Sequence, residues 1–231
     1  MSDKIRNMFS EIAGSYDLLN DILSFGIHRR WKNQVVRLAE VSGKTDIKLL
    51  DLATGTGDLA INFKKKFKST CAVTAVDFSE KMLAIAKEKA RSMNLEIDFR
   101  QGDATKLNFE DNSFDVSTIA FGIRNVDSVV SCLNEMSRVV KSGSKVIVLE
   151  FGQPKGLFSE LYTIYSKYII PYLGKIISKN FNAYNYLQDS SAKFPCGGEF
   201  IDIMQSTGKF SEIFYQQLSF GIAFIYVGKT V

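Results

Sequence analysis

The sequence predicts an α/β fold: a seven-stranded, mostly parallel sheet with helices on both faces and its last strand antiparallel. Three observations carry this. From Lys48 onward, short apolar runs alternate with amphipathic helical patterns, and strand–helix–strand in repetition builds a parallel sheet covered on both sides. A glycine-bearing turn, Gly55-Thr56-Gly57, directly follows the first run. The last two runs are separated only by Phe220-Gly221, a step that suits a tight reversal.

In order along the chain, residues 1–45 read as N-terminal helices forming a lid. Strands are expected at Lys48–Ala53, Val73–Phe78, Ile97–Gln101, Phe114–Phe121 and Lys145–Phe151, within a central region spanning 46–153. Before the fifth strand, Val129, Val130, Leu133, Met136, Val139 and Val140 share one helical face. Asp127 or Ser128 would cap that helix and Ser142-Gly143 would stop it. Residues 154–196 break the rhythm as an aromatic-rich helical insertion with Tyr162, Tyr165, Tyr168, Tyr172, Phe181, Tyr184 and Tyr186. Residues 197–231 close the chain with a helix near Gly198–Thr207 and strands around Ile213–Ser219 and Gly221–Val227, so 1–231 reads as a single domain.

Composition excludes several functions. A net charge of +4 tolerates an acidic surface without demanding nucleic acid. Cys71, Cys132 and Cys196 form no Cys-x-x-Cys pair, which argues for a reducing compartment and against structural zinc. With His28 the single histidine, no His-Glu-x-x-His chemistry and no metal site is expected. There is no Gly-x-Ser-x-Gly elbow. MSDKIRNMFSEIAG lacks the apolar core of a signal peptide, and no apolar run approaches the ~20 residues of a membrane span. The expectation is a cytoplasmic protein with no nucleic-acid partner; homo-oligomerisation is left open.

The glycine turn marks a ligand site. Asp51 ends the first strand, Gly55 and Gly57 let the backbone approach a ligand, and the helix opening at Asp58 offers unpaired N–H groups. Asp77 ends the second strand, where its carboxylate can accept hydrogen bonds from both ribose hydroxyls. Gly55-Thr56-Gly57-Asp58-Leu59-Ala60 also satisfies a dinucleotide fingerprint. Carboxylates at Asp51 and Asp58, however, suit a cationic sulfonium amino acid and would repel a pyrophosphate. Asp103, in Gly102-Asp103-Ala104 after the third strand, can reach an adenine amino group. These acidic strand ends favour S-adenosylmethionine. Caps and turn glycines alone would explain any one of them, but not three in register.

Longer motifs sharpen the reading: Tyr16-Asp17-Leu18-Leu19-Asn20-Asp21, Ser24 to Trp31 (SFGIHRRW), Asp51 to Asp58, Phe121 to Val126 (FGIRNV), Glu150-Phe151 with Gln153-Pro154, Tyr168 to Pro171, and Tyr186 to Ser190. With these motifs the chain resembles the class I S-adenosylmethionine-dependent methyltransferases, which have a Rossmann-like sheet. More narrowly, it is similar to the ubiquinone/menaquinone-biosynthesis C-methyltransferase family over nearly its whole length. The resemblance implies Thr56, Asp77, Asp103 and Ala104 as cofactor contacts. Ala53 departs from the glycine that many class I enzymes carry there, and Ala120 from a serine of some relatives.

The resemblance implies C-methylation of a polyprenyl quinol, with demethylmenaquinol favoured over a methoxy-polyprenyl-benzoquinol. A non-catalytic cofactor-binding scaffold and a sterol-type methyltransferase are the more remote alternatives. Arg124, Asn125 and Tyr16 are the expected catalytic groups: Arg124 would stabilise a phenolate, Asn125 would hold a water or the second hydroxyl, and Tyr16 would hydrogen-bond a quinol oxygen. Asn20, Phe25, His28, Trp31 and Phe121 are the expected substrate contacts. Phe25 and Trp31 read equally well as core, His28 as an exposed or packing residue, and Asn20 with Asp21 as a helix cap. The 154–196 insertion would either touch an anionic membrane surface peripherally, through Lys155, Lys167, Lys175, Lys179 and Lys193, or line a pocket.

Overall fold

The computed structural model describes residues 3–40, 45–154, 156 and 181–231. Most of the predicted insertion, including Tyr162, Tyr165, Tyr168, Tyr172, Lys155, Lys167, Lys175 and Lys179, lies outside the described residues. The chain begins with helices α1 (Asp3–Ile12), α2 (Tyr16–Ser24) and α3 (Ile27–Leu38). Strand β1 (Ile47–Leu52), helix α4 (Asp58–Phe67), β2 (Cys71–Asp77), α5 (Glu80–Ser92) and β3 (Asp98–Gln101) follow. Then come β4 (Phe114–Ala120), α6 (Val129–Val139), β5 (Val140–Phe151), α7 (Phe181–Lys193), α8 (Gly198–Ser206), β6 (Phe210–Leu218) and β7 (Ala223–Thr230).

The seven strands form one sheet in the order β3-β2-β1-β4-β5-β7-β6. All pairs from β3 to β5 are parallel, and β7 runs antiparallel between β5 and β6. Side chains alternate across the sheet with the period of two that strands impose. Leu49, Ile147 and Leu149 pack with Trp31, Val35, Leu59 and Phe63 on one face. Leu50, Leu52, Val146 and Val148 pack with Leu133, Met136, Phe200 and Tyr226 on the other. Ser79 and Ser128 cap α5 and α6, each accepting a backbone N–H three residues on, as short hydroxyl side chains do at helix starts. No described helix is long and apolar enough to cross a membrane.

Two elements differ from the sequence expectation. The sixth helix stops at Val139, and Ser142-Gly143 lies inside a strand that begins at Val140. Val140 is drawn into the sheet by pairing with Phe114, and the register shifts before Lys145 meets Val116. Helical spacing alone did not separate a buried strand residue from the last turn of the helix before it. The β6–β7 reversal is also longer than two residues: Ser219–Gly221 form a short 3-10 turn, with Ser219 at φ 44° and Phe220 at φ 59°.

β1 pairs with β2 on one side and β4 on the other, so the connections leaving β1 and β4 part at the carboxyl edge. That is where ligands bind in open α/β sheets. The edge is tightly built. A Cβ on Gly122 would stand 2.4 Å from that of Ala53, and one on Gly152 would stand 2.2 Å from Phe224 Cε2. Gly152→Ala should therefore lower stability by about 1–3 kcal/mol, read as a lower urea midpoint at unchanged m-value.

Candidate functional site

A cleft opens at this edge, lined by Tyr16, Ala53, Gly55, Asp77, Ser79, Asp103, Ala104, Phe121, Gly122 and Asn125 among others. Two non-glycine residues at its wall have left-handed backbone, Ala53 at φ 48° and Phe121 at φ 56°. Such conformations cost energy and gather at functional sites. The conformation at Ala53 explains why a glycine would fit there: the position needs positive φ whatever its side chain.

Asp77 is the best-defined polar group of the cleft. Its Oδ2 accepts the Gly55 N–H at 2.7 Å and its Oδ1 the Ser79 N–H at 2.8 Å. Burial raises its pKa against those amides. Asp103 follows the neighbouring strand β3, on the same side of the cleft. Burial pushes its pKa up, but the Thr105 N–H and hydroxyl, both donating to Oδ1, hold it below the usual range.

Of the other expected cofactor contacts, Gly55 and Ala104 line the cleft, whereas Asp51, Thr56 and Gly57 do not. Asp51 is buried beneath the loop, accepting from Thr54 Oγ1 at 2.6 Å and Thr118 Oγ1 at 2.9 Å. Burial raises its pKa to about 6, opposed by the two hydroxyls. Asp58 is held by Lys32 and Lys89, which depress its pKa despite burial. Neither carboxylate lines the cleft, so the expected pairing of Asp51 and Asp58 with a sulfonium amino acid has no support in their placement. Thr56 donates to Asp17 Oδ1 at 2.5 Å instead of facing the cleft. Gly57 is required by packing: its φ is 82°, and a Cβ would lie 2.9 Å from that of Ala86.

The N-terminal helices wall the cleft through Tyr16. They are tied across the glycine loop by Asp17, which bonds Thr56 and Lys89, and by Ser10 Oγ, 2.9 Å from Ser79 Oγ. Of the expected substrate contacts in this region, none lines the cleft. Trp31 is core, 4% exposed, with its Nε1 donating to Ser219 Oγ at 3.2 Å. Phe25 is 84% exposed at φ 48°, so the core reading fails for it. Asn20 lies inside α2, where its side chain hydrogen-bonds Tyr16. His28 is buried with Nδ1 2.6 Å from Ser24 Oγ. Burial, then Lys32, lowers its pKa to about 4.

The opposite wall holds Phe121 and Asn125. Arg124 beside them is buried: its Nη1 donates to Glu150 Oε1 at 2.7 Å and to the Phe121 carbonyl at 2.6 Å, and its guanidinium lies 5.3 Å over the Phe151 ring. The Arg124 charge is thus paired with the buried Glu150 carboxylate. Helix α7 joins the same cluster: Tyr186 Oη donates to Asn125 Oδ1 at 2.9 Å, and Ser190 Oγ accepts from Arg124 Nε at 3.4 Å. Glu150, Tyr186 and Ser190 were assigned no role from sequence. Their motifs were visible, but contacts 26 to 66 residues apart were not.

Because the folded chain holds His28 neutral, the unfolded chain binds that proton first as pH falls from about 6.5 toward 4. Stability at this group is lost over that window. Asp51 acts with the opposite sign, since its folded pKa of about 6 exceeds the unfolded value. Urea midpoints followed from about pH 7 down to 4.5 should fall less for His28→Gln than for wild type.

Among the described residues no group of histidine, cysteine and carboxylate side chains could hold a metal ion. Residues 1–230 match the model of the ubiE/COQ5 methyltransferase family. The chain is 49% identical over 225 residues to a ubiquinone/menaquinone biosynthesis C-methyltransferase UbiE of Bdellovibrio bacteriovorus, covering 97% of this chain and 94% of that protein. It is 46% identical to a demethylmenaquinone methyltransferase of Thermus thermophilus, covering 96% and 99%. A SAM-dependent methyltransferase of Thermotoga maritima shares the fold with a TM-score of 0.67 at 20% identity, over 97% of this chain and 99% of that one. A phosphoethanolamine N-methyltransferase of Haemonchus contortus, solved in complex with S-adenosyl-L-methionine, does so with a TM-score of 0.64 at 16% identity, over 87% and 52%. The full-length family match and the two close relatives agree: this chain belongs to the ubiE/COQ5 methyltransferase family.

Proposed function

We propose that the chain methylates a ring carbon of a polyprenyl quinol with S-adenosylmethionine, and that demethylmenaquinol is its acceptor. The observation that carries this is one cleft joining Asp77, Asp103 and Ala104 on one side to Tyr16, Phe121 and Asn125 on the other. The names of the two close relatives support it.

The cleft's residues fit the cofactor. Gly55 allows close backbone approach, Asp77 would accept the ribose hydroxyls, and Asp103 with Ala104 would meet the adenine. Bound there, the cofactor would supply an electrophilic methyl group on a cationic sulfur. The protein's own part is to hold and ionise the quinol. A phenolic hydroxyl has a pKa of about 10, so few are ionised at neutral pH. Burial holds Tyr16 and Tyr186 above the ordinary tyrosine range, leaving both as neutral hydroxyls that position substrate oxygens rather than take their protons. Arg124 cannot deprotonate; it donates hydrogen bonds, as does the Asn125 amide. Phe121 against Phe151, with centroids 4.4 Å apart, keeps this wall apolar, which suits an aromatic ring and excludes water.

The UbiE relative's name covers ubiquinone as well as menaquinone, so the benzoquinol is the second reading. We further propose peripheral membrane contact through 154–196, since the polyprenyl tail stays in lipid; liposome flotation without association would remove that part. Labelled methyl transfer to a short-tailed demethylmenaquinol, run beside a methoxy-polyprenyl-benzoquinol, should favour the naphthoquinol. Transfer to neither, with cofactor binding intact, would leave a scaffold role. Arg124→Ala should lower turnover at saturating cofactor by about 10²-fold; unchanged turnover would remove Arg124 from the reaction.

A further inference from the structure

Glu150 ends β5 with its side chain 1% exposed against an Arg124 side chain 3% exposed. Its Oε1 accepts from Arg124 Nη1 at 2.7 Å and from the Phe151 N–H at 2.8 Å; its Oε2 accepts the Arg124 N–H at 3.4 Å. It is the carboxylate in ion-pair contact with Arg124 among the described residues. Arg124 Nη2 has no hydrogen bond among those residues. Arg124 itself does not line the cleft, as its chain neighbours Phe121, Gly122 and Asn125 do, and its buried guanidinium keeps an unused donor while its charge is balanced.

We propose that Glu150 is a positioning residue that masks the charge of Arg124, so that a substrate hydroxyl meets a fixed donor and not a bare cation. The proposal rests on the quinol reading above. A buried unopposed charge acts at low dielectric and acidifies a neighbouring phenol strongly. A phenolate held that tightly would be a weaker nucleophile toward a methyl group, as nucleophilicity falls with pKa. A balanced pair leaves a short-ranged, dipolar field, so ionisation of the ring hydroxyl is helped without its electrons being held back.

Among the described residues, the other titratable groups around the pair and the cleft leave Glu150 in this role. Tyr16 from α2, Tyr186 from α7 and Tyr226 from β7 are each held above the ordinary tyrosine range by burial. Asp58 on α4 is balanced by Lys32 and Lys89, and Asp77 by backbone amides. Burial, opposed by Arg124, pushes the Glu150 pKa upward.

The test uses a short-chain naphthol whose ionised form has its own absorbance, bound to the protein without cofactor. In Glu150→Gln, which keeps the shape and loses the charge, the bound hydroxyl should titrate about one to three pH units below its wild-type value. In Glu150→Gln/Arg124→Gln, which removes both charges and the donor, it should titrate less than about one pH unit above wild type. Kinetically, the acid limb of kcat/KM should move to lower pH in Glu150→Gln while the plateau falls, and Glu150→Asp should restore the wild-type profile. A Glu150→Gln titration at or above wild type would overturn the proposal. So would a double variant raised by about one to three pH units, the mark of a bare charge lost. Should the single variant fail to fold, the comparison of wild type with the double variant decides alone. A wild-type protein that neither binds the naphthol nor methylates a quinol would instead sink the quinol reading, and the masking role with it.

Discussion

The parallel pairing of β1 with both β2 and β4 is the constraint on which the rest depends. Parallel strands deliver their connections to one edge, so the loops after Leu52, Asp77, Ala120 and Phe151 must meet there. The contact between Gly122 and Ala53, too close for any further atom, records how tightly they do. Positive φ at Ala53 and Phe121 is the local cost of that convergence. The two buried faces of the sheet sustain it, since neither loop could hold a strained conformation without a rigid strand behind it.

Where periodicity governs, the sequence was legible. The strand–helix alternation, a cap at Ser128 and the reversed last strand were read from apolar spacing, a short polar residue before a helical face and a short step between two runs. Local pattern failed where tertiary pairing decided, as at Val140, which reads as a helix residue and pairs as a strand residue. The site was legible by class more than by partner. Asp77 and Asp103 were read from their places at strand ends and Ala104 from the family resemblance, and all three line the cleft.

Charge was the least legible quantity. An acidic residue in a sequence carries no sign of its counter-ion, and Asp58 finds two lysines, from α3 and α5. Arg124 likewise finds Glu150 at the end of the neighbouring strand. Asp51 is nearly devoid of solvent and is satisfied by two threonine hydroxyls. For Asp58 and Arg124, and for the Thr118 partner of Asp51, the group that sets the electrostatics lies far along the chain, and spacing arguments reach only a few residues.

Asp17, Thr56, Lys89 and Asp58 form a polar seam between the N-terminal wall and the glycine loop it covers. Its charged members are partly open to solvent, with side-chain exposures of 24% to 35%. Apolar packing would be indifferent to dissolved ions or strengthened by them, whereas pairs of this kind weaken as ionic strength rises. The hold of the N-terminal wall on the glycine loop is thereby coupled to the electrolyte around the protein.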